Sequence, residues 1–276
     1  MHQDAVSHPL LIVSALEVET RRLREALGAQ PLEDSSGLLD GLWWGVLPAG
    51  TGSGGARARA AAGDASAERL LVAATGAGAT RAAAGLAALL AAPPAALPPA
   101  LILGVGIAGG VDAGCRLGDV VVADRVVQYD HDASELGFPP GVLERGDTTW
   151  RELETAERRG RLVARLEAAV GTGERRVREG PVASGSTLLS AARLEALPAH
   201  WRALLESALA CDMESAAWAS LAARTRLPFL AVRLISDTLG EPRRLGVGAA
   251  AAQLGELLAG ALMTCRITSD GAIVSR

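Results

Sequence analysis

The stretch Cys211-Asp212-Met213-Glu214-Ser215-Ala216-Ala217-Trp218-Ala219 places two carboxylates at the start of a predicted helix. The apolar residues 208–210 precede it, and residues 215–226 are rich in Ala and Leu, as is typical of a helix. Asp212 and Glu214 are therefore expected at the carboxyl end of a strand. Ligands bind at this edge of open α/β sheets, and a helix N-terminus favours negative charge. Simple capping of the helix is the alternative interpretation of the two acids.

Apolar runs of the length of buried strands alternate with helical patterns along the chain. The predicted strands are Leu10–Ser14, Leu70–Ala74, Leu101–Gly104, Val120–Ala123, Val182–Ser184 and Phe229–Ser236. The predicted helices are Glu17–Leu27, Thr80–Ala91, Trp150–Ala169, Ser215–Arg226 and Val247–Met263. This alternation predicts a layered α/β fold. We expect one domain at residues 10–266, a disordered N-terminal tail at 1–9 and a C-terminal tail at 267–276.

Composition excludes several classes of function. The chain has 276 residues, of which 49% are hydrophobic, and a net charge of −4. A substantial core is possible, and no basic stripe indicates a nucleic acid or an anionic membrane as partner. The sequence contains no Lys, which excludes Schiff-base chemistry and a phosphate loop that depends on Lys. Small molecules are the expected partners.

The cysteines and the N-terminus favour a cytoplasmic protein. Cys115, Cys211 and Cys265 lie far apart, and their odd number argues against a disulfide framework. The first nine residues are polar and lack an apolar signal core, and prolines interrupt the longest Ala/Leu stretch, so we expect no membrane span. His131 has an Asp on either side, but three consecutive residues cannot all face one ion. We expect no metal and no cofactor.

Two glycine-rich segments, residues 50–55 and 104–109, match the pattern G-x-G-x-x-G. A dinucleotide fingerprint also needs a preceding strand, a following helix and an acid at the end of the next strand. The first segment lacks a suitable acid. The second follows a predicted strand, but residues 111–118 have the composition of a turn. This loop is better suited to a close backbone approach to a sugar or a base.

Acidic residues stand at two further strand ends. Glu17 and Glu19 follow the first predicted strand, and since they are two residues apart, one can point inward while the other is solvated. Ser236 and Asp237 end the run that begins at residue 229, where turn formation is the alternative interpretation. Together with Glu214, three such junctions indicate a common site.

Several motifs, in this order, resemble those of the nucleoside phosphorylase and nucleosidase superfamily, and within it the 5′-methylthioadenosine/S-adenosylhomocysteine nucleosidases. The resemblance covers about residues 10–263. It rests on Ser14-Ala15-Leu16-Glu17-Val18-Glu19, Gly106-Ile107-Ala108-Gly109-Gly110, Gly118-Asp119-Val120-Val121-Val122, Tyr129-Asp130-His131-Asp132-Ala133, Ser184-Gly185-Ser186, Asp212-Met213-Glu214-Ser215-Ala216-Ala217 and Ser236-Asp237.

The resemblance implies a role for each strand-end acid. Asp237 would protonate the purine at N7, Glu214 would hold the ribose hydroxyls, and Glu19 would position and activate water. Asp237 would need burial to act as an acid near neutral pH. Met213 would pack under the ribose. The other substrate-binding residues implied are Asp212, Ser236, Ile107, Gly109, Leu188 and Leu189.

The resemblance also implies the fold and the assembly: a single three-layer α/β/α domain with a central mixed, mostly parallel, twisted sheet, and a homodimer or larger homo-oligomer. The implied function is hydrolysis of a purine nucleoside such as 5′-methylthioadenosine or S-adenosylhomocysteine to free base and sugar. The alternatives are a phosphate-dependent purine nucleoside phosphorylase, an enzyme acting on a specialised nucleoside such as futalosine or adenosylhopane, and a nucleoside-binding protein without catalysis.

Three positions depart from the family pattern. Ile107 stands where many relatives have Ser, and Ser186 stands where nucleosidases carry Asp. Leu188 replaces an aromatic residue that would stack on the purine, a loss that is expected to weaken adenine binding by roughly 1–3 kcal/mol. Against phosphorolysis, Gly104 occupies a position where bacterial phosphorylases carry Arg, and Glu17 and Glu19 would repel phosphate.

Overall fold

A computed structural model describes residues 8–47, 68–93, 98–268 and 271–275. The side chains of residues 241–243 and 275 are not part of this description. The first seven residues of the predicted N-terminal tail and the first glycine-rich segment, residues 50–55, lie outside the described residues.

Strands and helices alternate along the described chain. The strands are β1 (Leu10–Ser14), β2 (Gln30–Pro31), β3 (Gly41–Val46), β4 (Arg69–Ala74), β5 (Leu101–Gly110), β6 (Val120–Gln128), β7 (Arg151–Glu152), β8 (Val177–Ser184), β9 (Ala210–Asp212), β10 (Phe229–Thr238), β11 (Glu241–Arg244), β12 (Cys265–Ile267) and β13 (Ile273–Ser275). The helices are α1 (Glu17–Leu27), α2 (Ala79–Ala91), α3 (Ala156–Val170), α4 (Ala191–Ala196), α5 (Ala199–Glu206), α6 (Ser215–Thr225) and α7 (Val247–Met263), and Ser134–Leu136 form a short 3₁₀ turn.

The large sheet is mixed, and part of it closes on itself. Strand β5 pairs with β10, β10 with β6, β6 with β8, β8 with β9, and β9 with β5 again. Strands β1, β4, β3 and β2 extend from the other edge of β5. The predicted mixed α/β fold is confirmed, but the ring differs from an open three-layer sheet. Both directions of pairing occur: β5 with β10 and β6 with β8 are parallel, whereas β3 with β4 and β6 with β10 are antiparallel.

The ring closes because β5 is longer than its sequence pattern indicated. The second glycine-rich motif continues the strand instead of forming the predicted loop. A side chain at Gly104 would press on Trp218 and Phe229, and one at Gly106 would stand 2.7 Å from Oε1 of Glu19. Glycines therefore allow the strand to run close to α6 and α1, and its last residues pair with β9.

Side chains of the central strands alternate between two apolar cores. Leu10 and Ile12 of β1 contribute to one core, whose helical side comes from α1, α3 and α7. Leu11 and Val13 contribute to the other, which α2 and α6 cover. Because strand residues alternate in direction, a continuous apolar run is what a strand buried on both faces requires. None of the described helices is long and apolar enough to span a bilayer.

The C-terminal segment is not a free tail from residue 267. Strands β12 and β13 form an antiparallel hairpin, in which Ile267 pairs with Ile273. Both side chains are buried in the first core. This short hairpin carries few residues, and its apolar content is too small to be recognised as a strand pair from the sequence.

Replacement of Gly255 by Ala should destabilise the protein. Gly255 of α7 lies against α1, where a β-carbon would stand 2.8 Å from Cβ of Arg22 and 2.9 Å from the nitrogen of Leu23. We expect Gly255→Ala to lower the free energy of unfolding by about 1–3 kcal/mol through overpacking. Gly248→Ala on the same helix meets no atom within 4 Å, and it should raise stability by up to about 1 kcal/mol. Urea unfolding of both variants tests this; equal stabilities would contradict the close contact.

Candidate functional site

A cavity of about 230 Å³ lies at the carboxyl ends of the central strands. Its walls come from the residues at or after the ends of β1, β4, β5, β8, β9 and β10. All ten residues that the sequence predicted for catalysis or substrate binding line this cavity: Asp237, Glu19, Glu214, Met213, Asp212, Ser236, Ile107, Gly109, Leu188 and Leu189. The structure therefore brings the predicted residues together at one place.

Glu19 is buried at the floor of the cavity. Its Oε2 accepts the N–H of Leu16 at 2.8 Å, and its Oε1 accepts the N–H of Ile107 at 3.0 Å. Burial raises the pKa of the Glu19 carboxyl above its ordinary value, although these hydrogen bonds and the charge of Arg233 act in the opposite direction. Glu17, two residues earlier, is exposed and pairs with Arg24. The prediction that one acid points inward while the other is solvated is confirmed.

Glu214 is buried where β9 leads into α6. Its Oε1 accepts the N–H of Gly78 at 2.7 Å, which connects the start of α6 to the segment before α2. Burial and repulsion from Asp212 raise the pKa of Glu214 to about 7. A carboxyl group with such a pKa exchanges its proton near neutral pH, so a polar ligand at this position would compete with the proton.

Asp212 lines the cavity, but its side chain is occupied by other groups of the protein. Oδ1 accepts the Ser184 hydroxyl at 2.5 Å, and Oδ2 accepts Nε of Arg233 at 2.6 Å. The hydroxyl and N–H of Ser215 also donate to this carboxylate. Few acceptor positions therefore remain for a ligand, and the substrate-binding role of Asp212 stays a prediction. These hydrogen bonds order the turn that carries Glu214.

Arg233 is the important residue that the motifs did not reveal. Its side chain is 1% exposed, as is that of Asp212. Nη1 donates to the carbonyls of Gly104 and Val232, and Nη2 donates to the hydroxyl of Ser215. The sequence did contain a signal, since an Arg inside an apolar strand must find a buried partner.

Asp237 lies at the end of β10, opposite Gly109 of β5. The β10 register shifts between Ile235 and Asp237, and this bulge turns the end of the strand. The Ser236 hydroxyl lies 2.8 Å from Oδ1 of Asp237 and 3.3 Å from the carbonyl of Ala108. Asp237 is only partly buried. The strong burial expected of it is found at Glu19 and Glu214 instead.

The remaining predicted residues form an apolar wall and rim. Leu189 is buried, Met213 and Ile107 are partly buried, and Leu188 is 68% exposed at the rim. Leu188 and Leu189 belong to the connection between β8 and α4. The cavity thus combines a floor of carboxylates with an apolar side.

The family to which the chain belongs follows from its sequence. The profile of the family described as the phosphorylase superfamily matches residues 46–265. This match covers most of the chain, and the protein is therefore a member of the phosphorylase superfamily.

Individual relatives agree with this assignment. The 5′-methylthioadenosine/S-adenosylhomocysteine nucleosidase of Marinomonas sp. (strain MWYL1) is 32% identical over 145 residues, which are 52% of this chain and 58% of the relative. That of Actinobacillus succinogenes is 30% identical over 140 residues, or 50% and 56% of the two chains. The chain thus spans little more than half the length of the curated relatives it matches.

Solved structures share the fold. The nucleosidase of the same description from Neisseria meningitidis, in complex with methylthio-immucillin-A, superimposes with a TM-score of 0.71 at 21% identity, covering 92% of this chain and 98% of the other. The Campylobacter jejuni nucleosidase also gives 0.71, at 18% identity and with 93% and 97% coverage. At these identities the likeness establishes the fold.

Glu214 should make stability depend on pH. Its pKa of about 7 in the folded protein lies above the ordinary value of 4.5. Between these values the folded state holds a proton that the unfolded state has lost, so stability falls as the pH rises towards 8. Glu214→Gln removes this effect, and its stability relative to wild type should increase by about 1–3 kcal/mol from pH 5 to pH 8.

Urea unfolding at several pH values measures this difference. Glu157→Gln, at an exposed carboxylate of α3, serves as the control. A constant difference between Glu214→Gln and wild type across this range would contradict the assigned environment of Glu214.

Removal of Arg233 should cost much stability. Arg233→Met leaves the Asp212 charge buried without its partner, and we expect a loss of about 3–5 kcal/mol in the free energy of unfolding. Arg233→Met combined with Asp212→Asn should recover part of this loss. The control Arg161→Met breaks an exposed pair with Glu157, which should change stability by less than about 1 kcal/mol. Similar losses in urea unfolding for Arg233→Met and Arg161→Met would show that the buried pair is unimportant.

Proposed function

We propose that the protein cleaves the N-glycosidic bond of a purine nucleoside, such as 5′-methylthioadenosine or S-adenosylhomocysteine, with water as nucleophile. One observation carries this proposal: the carboxylates of Glu19, Glu214 and Asp237 line one cavity at the carboxyl ends of the strands. The names of the relatives give the proposal its substrate class.

The chemistry of the bond explains why carboxylates are needed. Cleavage passes through a sugar with the character of an oxocarbenium ion, and negative charge fixed nearby stabilises that cation. Asp237 would donate a proton to N7 of the base, which then leaves more easily. Glu214 would accept hydrogen bonds from the ribose hydroxyls, and Glu19 would orient and activate water.

The charge of the cavity favours water over phosphate. Four acids line it, and no Arg or His belongs to its walls in the described part of the chain. Arg233 lies beneath, but its donors bind Asp212, Ser215 and two backbone carbonyls. A phosphate anion needs cationic groups or free N–H donors to offset its charge. Phosphorolysis is therefore the weaker alternative.

The predicted homo-oligomer and the cytoplasmic location belong to the same proposal. An open groove of about 460 Å³ runs between α2, α6 and the 141–149 segment, with Leu143 46% exposed on it. A single exposed Leu is ordinary on a protein surface, so the proposed contact with a second copy rests on the resemblance to the family. Cys115, Cys211 and Cys265 are buried thiols, as a reducing compartment allows.

Product analysis tests the reaction. The pure protein is incubated with 5′-methylthioadenosine, S-adenosylhomocysteine, adenosine and inosine, with and without phosphate, and free base and sugar are separated by chromatography. Free base and free sugar without phosphate are expected. A strict need for phosphate, with sugar 1-phosphate as product, would establish a phosphorylase; no cleavage of any substrate would contradict the proposal.

Replacement of Asp237 should separate binding from turnover. We expect Asp237→Asn to lower kcat by about 10²–10⁴-fold, because the acid is lost while the shape of the side chain is kept. The affinity for 5′-methylthioadenosine, measured by calorimetry, should change little. Asp40→Asn removes an exposed acid paired with Arg81 and is the control. Equal losses of affinity and turnover in Asp237→Asn would indicate a structural role for this residue.

A further inference from the structure

One wall of the cavity is formed by the connection between β8 and α4, residues 185–190. Thr187, Leu188 and Leu189 of this segment line the cavity. Two hydrogen bonds hold its beginning in the described structure: the N–H of Gly185 donates to the carbonyl of Asp212 at 3.0 Å, and the N–H of Ser186 donates to Oδ2 of Asp130 at 2.8 Å. Of these two bonds, only the one from Ser186 is made to a side chain, that of Asp130.

Asp130 stands where β6 ends, beside the end of β8. Its Oδ1 accepts the side-chain amide of Gln128 at 2.5 Å, while Oδ2 accepts the N–H of Ser186. The neighbouring Tyr129 N–H donates to the carbonyl of Ser184 at 3.0 Å. Hydrogen bonds to an ionised acceptor are stronger than those between neutral groups. Asp130 therefore connects the end of one strand to the first residues of the wall with both of its oxygens.

The backbone of Gly185 packs directly on the ring of Tyr129. A β-carbon at Gly185 would stand 2.0 Å from the Tyr129 ring, so the backbone lies directly on that ring. Tyr129 is buried, and burial raises its pKa to about 12. Gly185 thus packs on the Tyr129 ring, and the next residue, Ser186, is hydrogen-bonded to Asp130. Residues 187–189 make no hydrogen bond in the described structure.

We propose that Asp130 is a positioning residue for substrate specificity, which holds residues 186–189 at the distance where they contact the purine base. This inference rests on the proposed function. Asp130 does not line the cavity, so it acts through the segment that it holds. If the wall is displaced, it contacts the base less well in the enzyme–substrate complex and in the transition state. Because both are weakened equally, KM rises and kcat stays nearly unchanged.

The test compares three variants with 5′-methylthioadenosine as substrate. Asp130→Ala removes both acceptors and should raise KM about tenfold, the change that about 1.4 kcal/mol of lost binding produces, with kcat within about twofold. Asp130→Asn keeps an acceptor for Ser186 and should raise KM less than about threefold. The control is Asp132→Ala, two residues after Asp130 in the sequence. It removes the contacts of Asp132 with Ser134 and His200, and it should leave kcat and KM unchanged.

Hydrogen exchange gives a measurement that does not depend on activity. The amide of Ser186 should exchange faster in Asp130→Ala than in the wild type, while amides of the central strands keep their protection. Faster exchange with an unchanged KM would overturn the role in specificity and leave the proposed function intact. Equal losses of kcat in Asp130→Ala and Asp130→Asn would also overturn it. If the wild type cleaves no nucleoside, the proposed function fails. Independently of activity, an unchanged exchange rate of the Ser186 amide in Asp130→Ala would show that Asp130 does not hold residues 186–189 in place.

Discussion

The buried pair of Arg233 and Asp212 is the interaction on which the site depends. It joins the middle of β10 to the turn between β9 and α6, and both side chains are almost completely excluded from solvent. Two buried charges are tolerable only when each is paired and fully hydrogen-bonded. Here the carboxylate receives donors from β8, α6 and β10, so three of the elements that border the site meet at one anion.

The same pair sets the electrostatics of the cavity. One buried cation stands below four acids, so the cavity keeps an excess of negative charge. Burial raises the pKa values of Glu19, Glu214 and the Cys211 thiol, and repulsion from neighbouring carboxylates adds to this effect at Glu214 and Cys211. Such a field opposes anions and stabilises a developing positive charge. It therefore accounts both for the choice of water in the proposed reaction and for the inertness expected of Cys211.

The sequence predicted which acids line the cavity because each stands at a strand end, a place that a local pattern defines. Glu19, Glu214 and Asp237 were found in this way, and so was the alternation of strands and helices. The closure of the sheet was missed because it depends on how far β5 runs through its glycines. Asp130 and the Gly78 N–H were missed because both act across long separations in sequence. The pairing of Asp212 with Arg233 was missed because motif position cannot show that a carboxylate is already paired.

The walls of the cavity differ in how well they tolerate amino-acid substitutions, and the glycine-rich half of β5 tolerates them least. At Gly109 and Gly110 the cavity surface consists of main chain, and a side chain added at Gly110 would meet Cys115 and strand β10. The opposite wall, at Leu188 and Leu189, is a connection with an exposed rim. Evolution can therefore vary the ligand range of this scaffold by exchanging residues on the connection, while the glycine strand keeps the reacting groups in register through every such exchange.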